Sequence, residues 1–123
     1  MILVDTSIWA DHVVRPVAEL QDLLADQHVL VHPFVICELA LGNLRNWQQT
    51  VAMLKALPGS KVASHEELLA FIPVANLCGS GVGFVDAHLL AACGLMRARL
   101  WTRDKRLASK ADALGMNWTP ASP

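Results

Sequence analysis

The sequence predicts an α/β domain built on a central parallel sheet of four to five strands, with helices covering both faces. Short apolar runs alternate along the chain with stretches of helical periodicity, the order expected of a parallel sheet. The runs are apolar throughout instead of alternating with polar residues, as in strands buried on both sides. A length of 123 residues suits one domain over 1–123.

Met1 to Val4 is the first such run and reads as a buried strand. Asp5, Thr6 and Ser7 follow it, and each is a residue type that caps a helix starting near Ile8. Pro16 is expected to open the next helix, with Val17, Leu20 and Leu24 on one face. His28 to His32 is a second strand. Pro33 starts a helix through Ile36, Leu39 and Ala40 that stops at Gly42. Asn43 is placed to cap a helix carrying Leu44, Trp47, Val51 and Leu54, which Pro58-Gly59 breaks. Lys61 to Ala63 reads as a third strand. Ser64 with Glu67 has the spacing of a capping box for a helix into Ile72, kinked or ended by Pro73. Gly79, Gly81 and Gly83 mark a flexible turn before an Ala- and Leu-rich helix from about Phe84 to Leu95. Arg99 to Thr102 is a further strand, Asp104 precedes a short basic helix, and Met116 to Trp118 is a candidate last strand.

Composition bounds the function. Hydrophobic residues at 54% against 17% charged favour a packed core over a disordered chain. A net charge of −1 gives no global basic field, so binding of a nucleic acid must rest on a local patch. The segment Met1–Asp5 is too short in apolar residues for a signal peptide, and no run approaches the roughly 18 apolar residues of a membrane helix. Cys37, Cys78 and Cys93 lie in apolar surroundings without CxxC spacing, which reads as buried reduced thiols in a cytosolic protein.

Four acids stand out by context. Asp5 ends the first strand and Asp104 follows the Arg99–Thr102 strand, and open α/β sheets form their ligand sites at strand carboxyl ends. Glu38 lies in a nearly unbroken apolar helix, where an unpaired carboxylate is costly. It calls for an arginine partner or a metal. Asp86 opens a helix, which complements the helix dipole whatever else it does. The spacings of 33, 48 and 18 residues are too long to be diagnostic by themselves. Six of the ten basic residues, Arg97, Arg99, Arg103, Lys105, Arg106 and Lys110, form the one local positive patch and flank Asp104. That patch is a phosphate-binding rim, a solvated helix face or a surface for an acidic partner. Trp101 and Trp118 fit core positions better than base-stacking ones, and the five histidines do not read as ligands.

These strings resemble the PIN-domain family, and more narrowly the VapC toxins of bacterial toxin–antitoxin pairs, over essentially the whole chain. The family's strand-end Asp-Thr/Ser-Ser is matched by Asp5-Thr6-Ser7, and its Glu in an apolar helix by Glu38. Its D-x-x-[IL]-[LA]-A helix start is matched by Asp86-Ala87-His88-Leu89-Leu90-Ala91, and its T-x-D after a strand by Thr102-Arg103-Asp104. The resemblance implies a three-layer α/β/α fold and Mg²⁺- or Mn²⁺-dependent cleavage of RNA. It also implies tRNA or ribosomal RNA as the substrate class, a homodimer, and an antitoxin that wraps the toxin and obstructs its site. Asp5, Asp86 and Asp104 would hold metal directly or through water, and Glu38 would bind metal or orient the attacking water. Thr6, Ser7 and Thr102 are candidate supports, and Arg103, Lys105 and Arg106 candidate phosphate contacts. Four carboxylates around one cavity repel each other and make sense only with a cation. Trp9, Trp47 and Leu44 are apolar residues that suit a partner interface or a buried helix face equally.

Other readings remain open at this point. A phosphatase of haloacid dehalogenase type wants a second Asp where Ser7 stands. A degenerate, non-catalytic RNA- or partner-binding module is a second alternative, and cleavage of flap or single-stranded DNA a third.

Overall fold

The computed structural model describes residues 1–121 of the expected 1–123 domain. Three parallel strands, β1 (Ile2–Val4), β2 (Val29–Leu30) and β3 (Arg99–Trp101), form a sheet in the order β2-β1-β3. Ile2, Leu3 and Val4 are all buried. Successive strand side chains point to opposite faces, so both faces of β1 are covered. Seven helices do the covering: α1 (Thr6–Val14), α2 (Ala18–Ala25), α3 (Pro33–Ala40), α4 (Trp47–Ala56), α5 (His65–Val74), α6 (Phe84–Met96) and α7 (Lys105–Ala113).

The sheet has three strands, not the four to five expected. The segments Lys61–Ala63 and Met116–Trp118 do not become strands. Near them the sheet gains only isolated parallel bridges, Val31 to Gly59 and Leu100 to Asn117. Proline explains both stops, because it has no N–H to give to a ladder. Val31 donates to the Pro58 carbonyl and accepts from the Ser60 N–H. The next rungs in either direction require N–H groups that Pro33 and Pro58 lack. Leu100 donates to Met116 and accepts from Trp118, and the following rung requires an N–H from Pro120.

Two helix starts also move. Val17 is the extended N-cap of α2, its N–H donating to His12 Nδ1 at 3.0 Å, so α2 begins at Ala18 and not at Pro16. The helix expected from Asn43 begins at Trp47, after a left-handed Asn46 at φ 53°. The Trp47 indole N–H donates to the Ala40 carbonyl at 2.7 Å, satisfying an end of α3 and fixing the turn between the helices. The Ser64–Glu67 capping box is present in full, and Pro73 sits in the last turn of α5, one residue before the helix ends.

Trp9, Leu3, Ile8, Leu20, Leu89, Leu90 and Leu100 are fully buried in one core. Trp9 therefore offers nothing to a partner, and Leu44 packs partly against that core, whereas Trp47 remains exposed. Cys93 is buried as expected, but Cys37 and Cys78 are exposed. They occupy an outward helix position and a loop, whose apolar neighbours in sequence are not their neighbours in space. Among the described residues no helix is long and apolar enough to cross a membrane.

Candidate active site

The site grows from the carboxyl ends of two neighbouring strands. Val4 pairs with Trp101 in the β1–β3 register, and the Asp5 N–H donates to the Trp101 carbonyl at 3.0 Å. Asp5 and Thr102 consequently emerge side by side. Asp5 is the N-cap of α1 and is 6% exposed. Its Oδ1 accepts from the Thr6 N–H at 2.7 Å. Its Oδ2 accepts from the Ser7 hydroxyl at 3.0 Å and from the Thr102 hydroxyl at 2.6 Å. Thr102 Oγ1 in turn accepts the Asp104 N–H at 3.0 Å, and Ser7 Oγ accepts the Arg103 N–H at 3.1 Å. Asp104 Oδ1 caps α7 by accepting from the N–H groups of Arg106 and Leu107 at 2.9 and 3.1 Å. The three expected hydroxyl supports thus all touch a site carboxylate: Ser7 and Thr102 hold Asp5, and the Thr6 hydroxyl donates to Glu38 Oε1 at 2.6 Å.

Helices bring the other two acids. Asp86 lies in the first turn of α6 and is partly buried. Its pKa is pushed up to about 6, first by burial and then by the charges of Asp5, Asp104 and Glu38. The helix dipole works the other way and is outweighed. Glu38 departs from expectation. It is exposed, because α3 buries Val35 and Leu39 and turns Cys37 and Glu38 outward. Its partner is the Thr6 hydroxyl, neither an arginine nor an apolar enclosure.

Beside Asp86 and Asp104 lies a cleft of ≈ 410 Å³, lined also by Gly81, Val82, Lys105, Arg106 and Leu107, whereas Asp5 and Glu38 do not line it. The basic patch divides at this point. Lys105 and Arg106 border the cleft, whereas Arg103 forms an ion pair with Asp11 on α1 and lines a separate groove with Arg15 and Glu19. Arg103 is therefore not among the residues that line the cleft. Arg106 reaches the Gly81 carbonyl at 3.4 Å. Gly81 has φ +83°, which L side chains rarely adopt, so this glycine is required by conformation; a Cβ there would also meet Arg106 Nη1 at 2.7 Å, a flexible group able to give way.

The donor set bears on which ion fits. Among the described residues no three His, Cys, Asp or Glu side chains are gathered closely enough to grip a metal unaided. Mg²⁺ keeps several of its waters and is held by one or two carboxylates. Oxygen ligands spaced around an open cleft suit that ion and not zinc, whose structural sites are closed sets of nitrogen and sulfur ligands.

Sequence reasoning missed an aromatic cluster beside the acids. His32 is fully buried and caps α3, its Nδ1 accepting from the Phe34 N–H at 3.0 Å. Burial, with His88 nearby, lowers its pKa to about 4. The rings of Phe34, Phe84 and His88 pack together with centroids 4.7 to 6.4 Å apart. Trp101 is buried and meets Trp118 edge-on at 5.1 Å, which makes it core.

No protein-family model matches the chain. Its sequence is similar to ribonuclease VapC32 of Mycobacterium tuberculosis, in both strains compared, at 45% identity over 108 residues and 87% of each chain. Its fold is similar to the crystal structure of PAE2754 from Pyrobaculum aerophilum, with a TM-score of 0.57 over 92% of this chain and 85% of that one. The identity there is 18%, so that likeness concerns the fold alone. With 45% identity to a VapC protein across 87% of its length, the chain belongs to the VapC family of PIN-domain proteins.

Proposed function

We propose that the protein is a Mg²⁺- or Mn²⁺-dependent endoribonuclease that serves as the toxin of a type II toxin–antitoxin pair. The observation that carries this reading is the convergence of Asp5 and Asp104 at neighbouring strand ends, with Glu38 tied in through Thr6 and Asp86 raised toward protonation by burial and by the other three carboxylates. Mutually repelling acids of this kind are relieved by a divalent cation, which supports the metal-dependent reading. The similarity to a protein named a ribonuclease supports RNA as the substrate.

A bound divalent ion would neutralise charge on the scissile phosphate and supply hydroxide near neutral pH. The chain's own residues set the stage. Asp5 offers oxygens whose position is fixed by three hydrogen-bond donors. Asp104 has Oδ1 committed to the α7 cap, which leaves Oδ2 as the oxygen that would hold the ion. Asp86 supplies the charge that the ion relieves. Glu38, with Oε1 held by Thr6, would bind the ion or orient the attacking water. Lys105 and Arg106 hold an RNA phosphate on the rim. In this reading the protein acts in the cytoplasm on tRNA or ribosomal RNA, forms homodimers, and is restrained by an antitoxin that covers the cleft. The exposed Trp47 and Leu41 supply apolar surface for such partners.

The test is a cation titration followed by an RNA-cleavage assay on the wild type, Asp5→Ala and Asp86→Ala. Cleavage should require Mg²⁺ or Mn²⁺ and fall by on the order of 10²-fold or more in each variant, with the fold retained. Wild-type cleavage by both variants, or cleavage without a cation, would overturn the reading. Mapping the cuts on total RNA then identifies the substrate.

A further inference from the structure

Phe84 is a large aromatic side chain left 63% exposed at the first position of α6, two residues before Asp86. It packs within an aromatic cluster. The ring lies nearly parallel to Phe34, with 6.4 Å between centroids and 23° between planes. His88, one turn further along α6, meets Phe84 edge-on at 4.7 Å and Phe34 edge-on at 4.9 Å. Phe34 is itself fixed by the His32 cap on its N–H and by His32 packing against its ring at 4.9 Å. The cluster lies near the site on both helices, though none of Phe34, Phe84 and His88 lines the cleft itself. Phe34 is one turn before Glu38 on α3, hence on the same helix face, and Phe84 shares the first turn of α6 with Asp86.

Two unlike surfaces therefore lie close together, the cleft and the aromatic face beside it. One wall carries the cations Lys105 and Arg106, and the floor carries Asp86 and Asp104. The α3–α6 side carries a pre-organised aromatic face. An exposed aromatic ring normally costs solubility and gives nothing to the fold. A chain of alternating phosphates and planar bases matches both surfaces at once, since unpaired RNA bases stack on aromatic side chains while the backbone tracks basic groups.

We propose that Phe84, backed by Phe34 and His88, is a stacking platform for an unpaired nucleobase next to the scissile phosphate. This rests on the ribonuclease reading for the identity of the ligand, and it adds that the substrate is single-stranded at the cut. Phe84 is a positioning residue on this account and touches the base, not the reacting phosphate.

The experiment compares binding of a short mixed-sequence single-stranded RNA with its abasic counterpart, with Ca²⁺ in place of Mg²⁺, to the wild type, Phe84→Leu and Phe84→Trp. The wild type should favour the base-bearing strand about 5- to 100-fold, the range expected for one stacked base. Phe84→Trp should keep that preference and Phe84→Leu should lose most of it. All three should bind the abasic strand alike and melt at similar temperatures. A wild-type preference retained by Phe84→Leu overturns the proposal, as does a wild type that binds RNA without preferring bases. Loss of a co-purifying protein from Phe84→Leu, with RNA discrimination intact, overturns it in favour of a protein-docking face. A wild type that prefers base-bearing RNA yet cuts none of it leaves the platform standing and removes the nuclease reading. Failure to bind either strand removes both.

Discussion

At the strand side of the cleft, Asp5 is buried and accepts three hydrogen bonds, and the Thr102 hydroxyl that reaches it also fixes the Asp104 backbone. On the helix side, Asp86 is driven toward protonation by burial and by its three acidic neighbours, and Glu38 stands in solvent with a single hydroxyl partner. The first pair is held by geometry that folding itself provides. The second pair is brought near by helix packing and left electrostatically unsatisfied. The difference teaches that the fold builds a stiff half-site and sets an uncompensated charge against it, a combination that a cation resolves and a purely structural network would avoid.

Breaking the stiff side should have the larger effect. Thr102→Val removes a donor from Asp5 Oδ2 and an acceptor from the Asp104 N–H in a buried place. Leaving buried polar groups unpaired costs about 1–3 kcal/mol, read as a lower denaturant midpoint. Cation-dependent cleavage should fall roughly 10- to 100-fold, the scale of lost support to a metal ligand. Thr102→Ser should restore both quantities. Thr6→Val disturbs the looser side. Because Glu38 is exposed, stability should change by less than about 0.5 kcal/mol, and cleavage should fall less than in Thr102→Val. A larger loss in Thr6→Val than in Thr102→Val would reverse the assignment of stiff and loose sides.

Local chemistry was legible in the sequence, and long-range pairing was not. Asp5 at a strand end, the Ser64–Glu67 box and the Pro33 helix start follow from a few adjacent residues each. That the Thr102 hydroxyl would reach Asp5, 97 residues away, needed the strand order β2-β1-β3, which no local pattern contains. Glu38 was misplaced because an apolar run hides which side of α3 faces out; the buried pair Val35 and Leu39 settles it. Arg103 sits between two site residues in sequence, yet pairs with Asp11 because α1 passes beside the β3–α7 loop. The missing strands were readable in principle, since Pro33, Pro58 and Pro120 remove the N–H groups that longer ladders require. Phe34 and Phe84 carry no local signal of a common role, and only their packing around His88 shows a shared face.

The central claim is that Asp86 carries charge the cation-free fold does not want. Its folded pKa of about 6 lies above the ordinary 3.8, so between those values the folded protein binds more protons than the unfolded chain. Stability from this group is therefore full below pH 3.8 and is lost as pH rises through 6. The most direct measurement is the melting temperature of the wild type and Asp86→Asn across that window, with chelator and then with Mg²⁺ or Mn²⁺. In chelator, Asp86→Asn should melt above the wild type at neutral pH, and the gap should close in acid. Saturating cation should raise the wild type substantially and Asp86→Asn little. A variant no more stable than the wild type at neutral pH, together with an equal rise of both on adding the cation, would contradict the account.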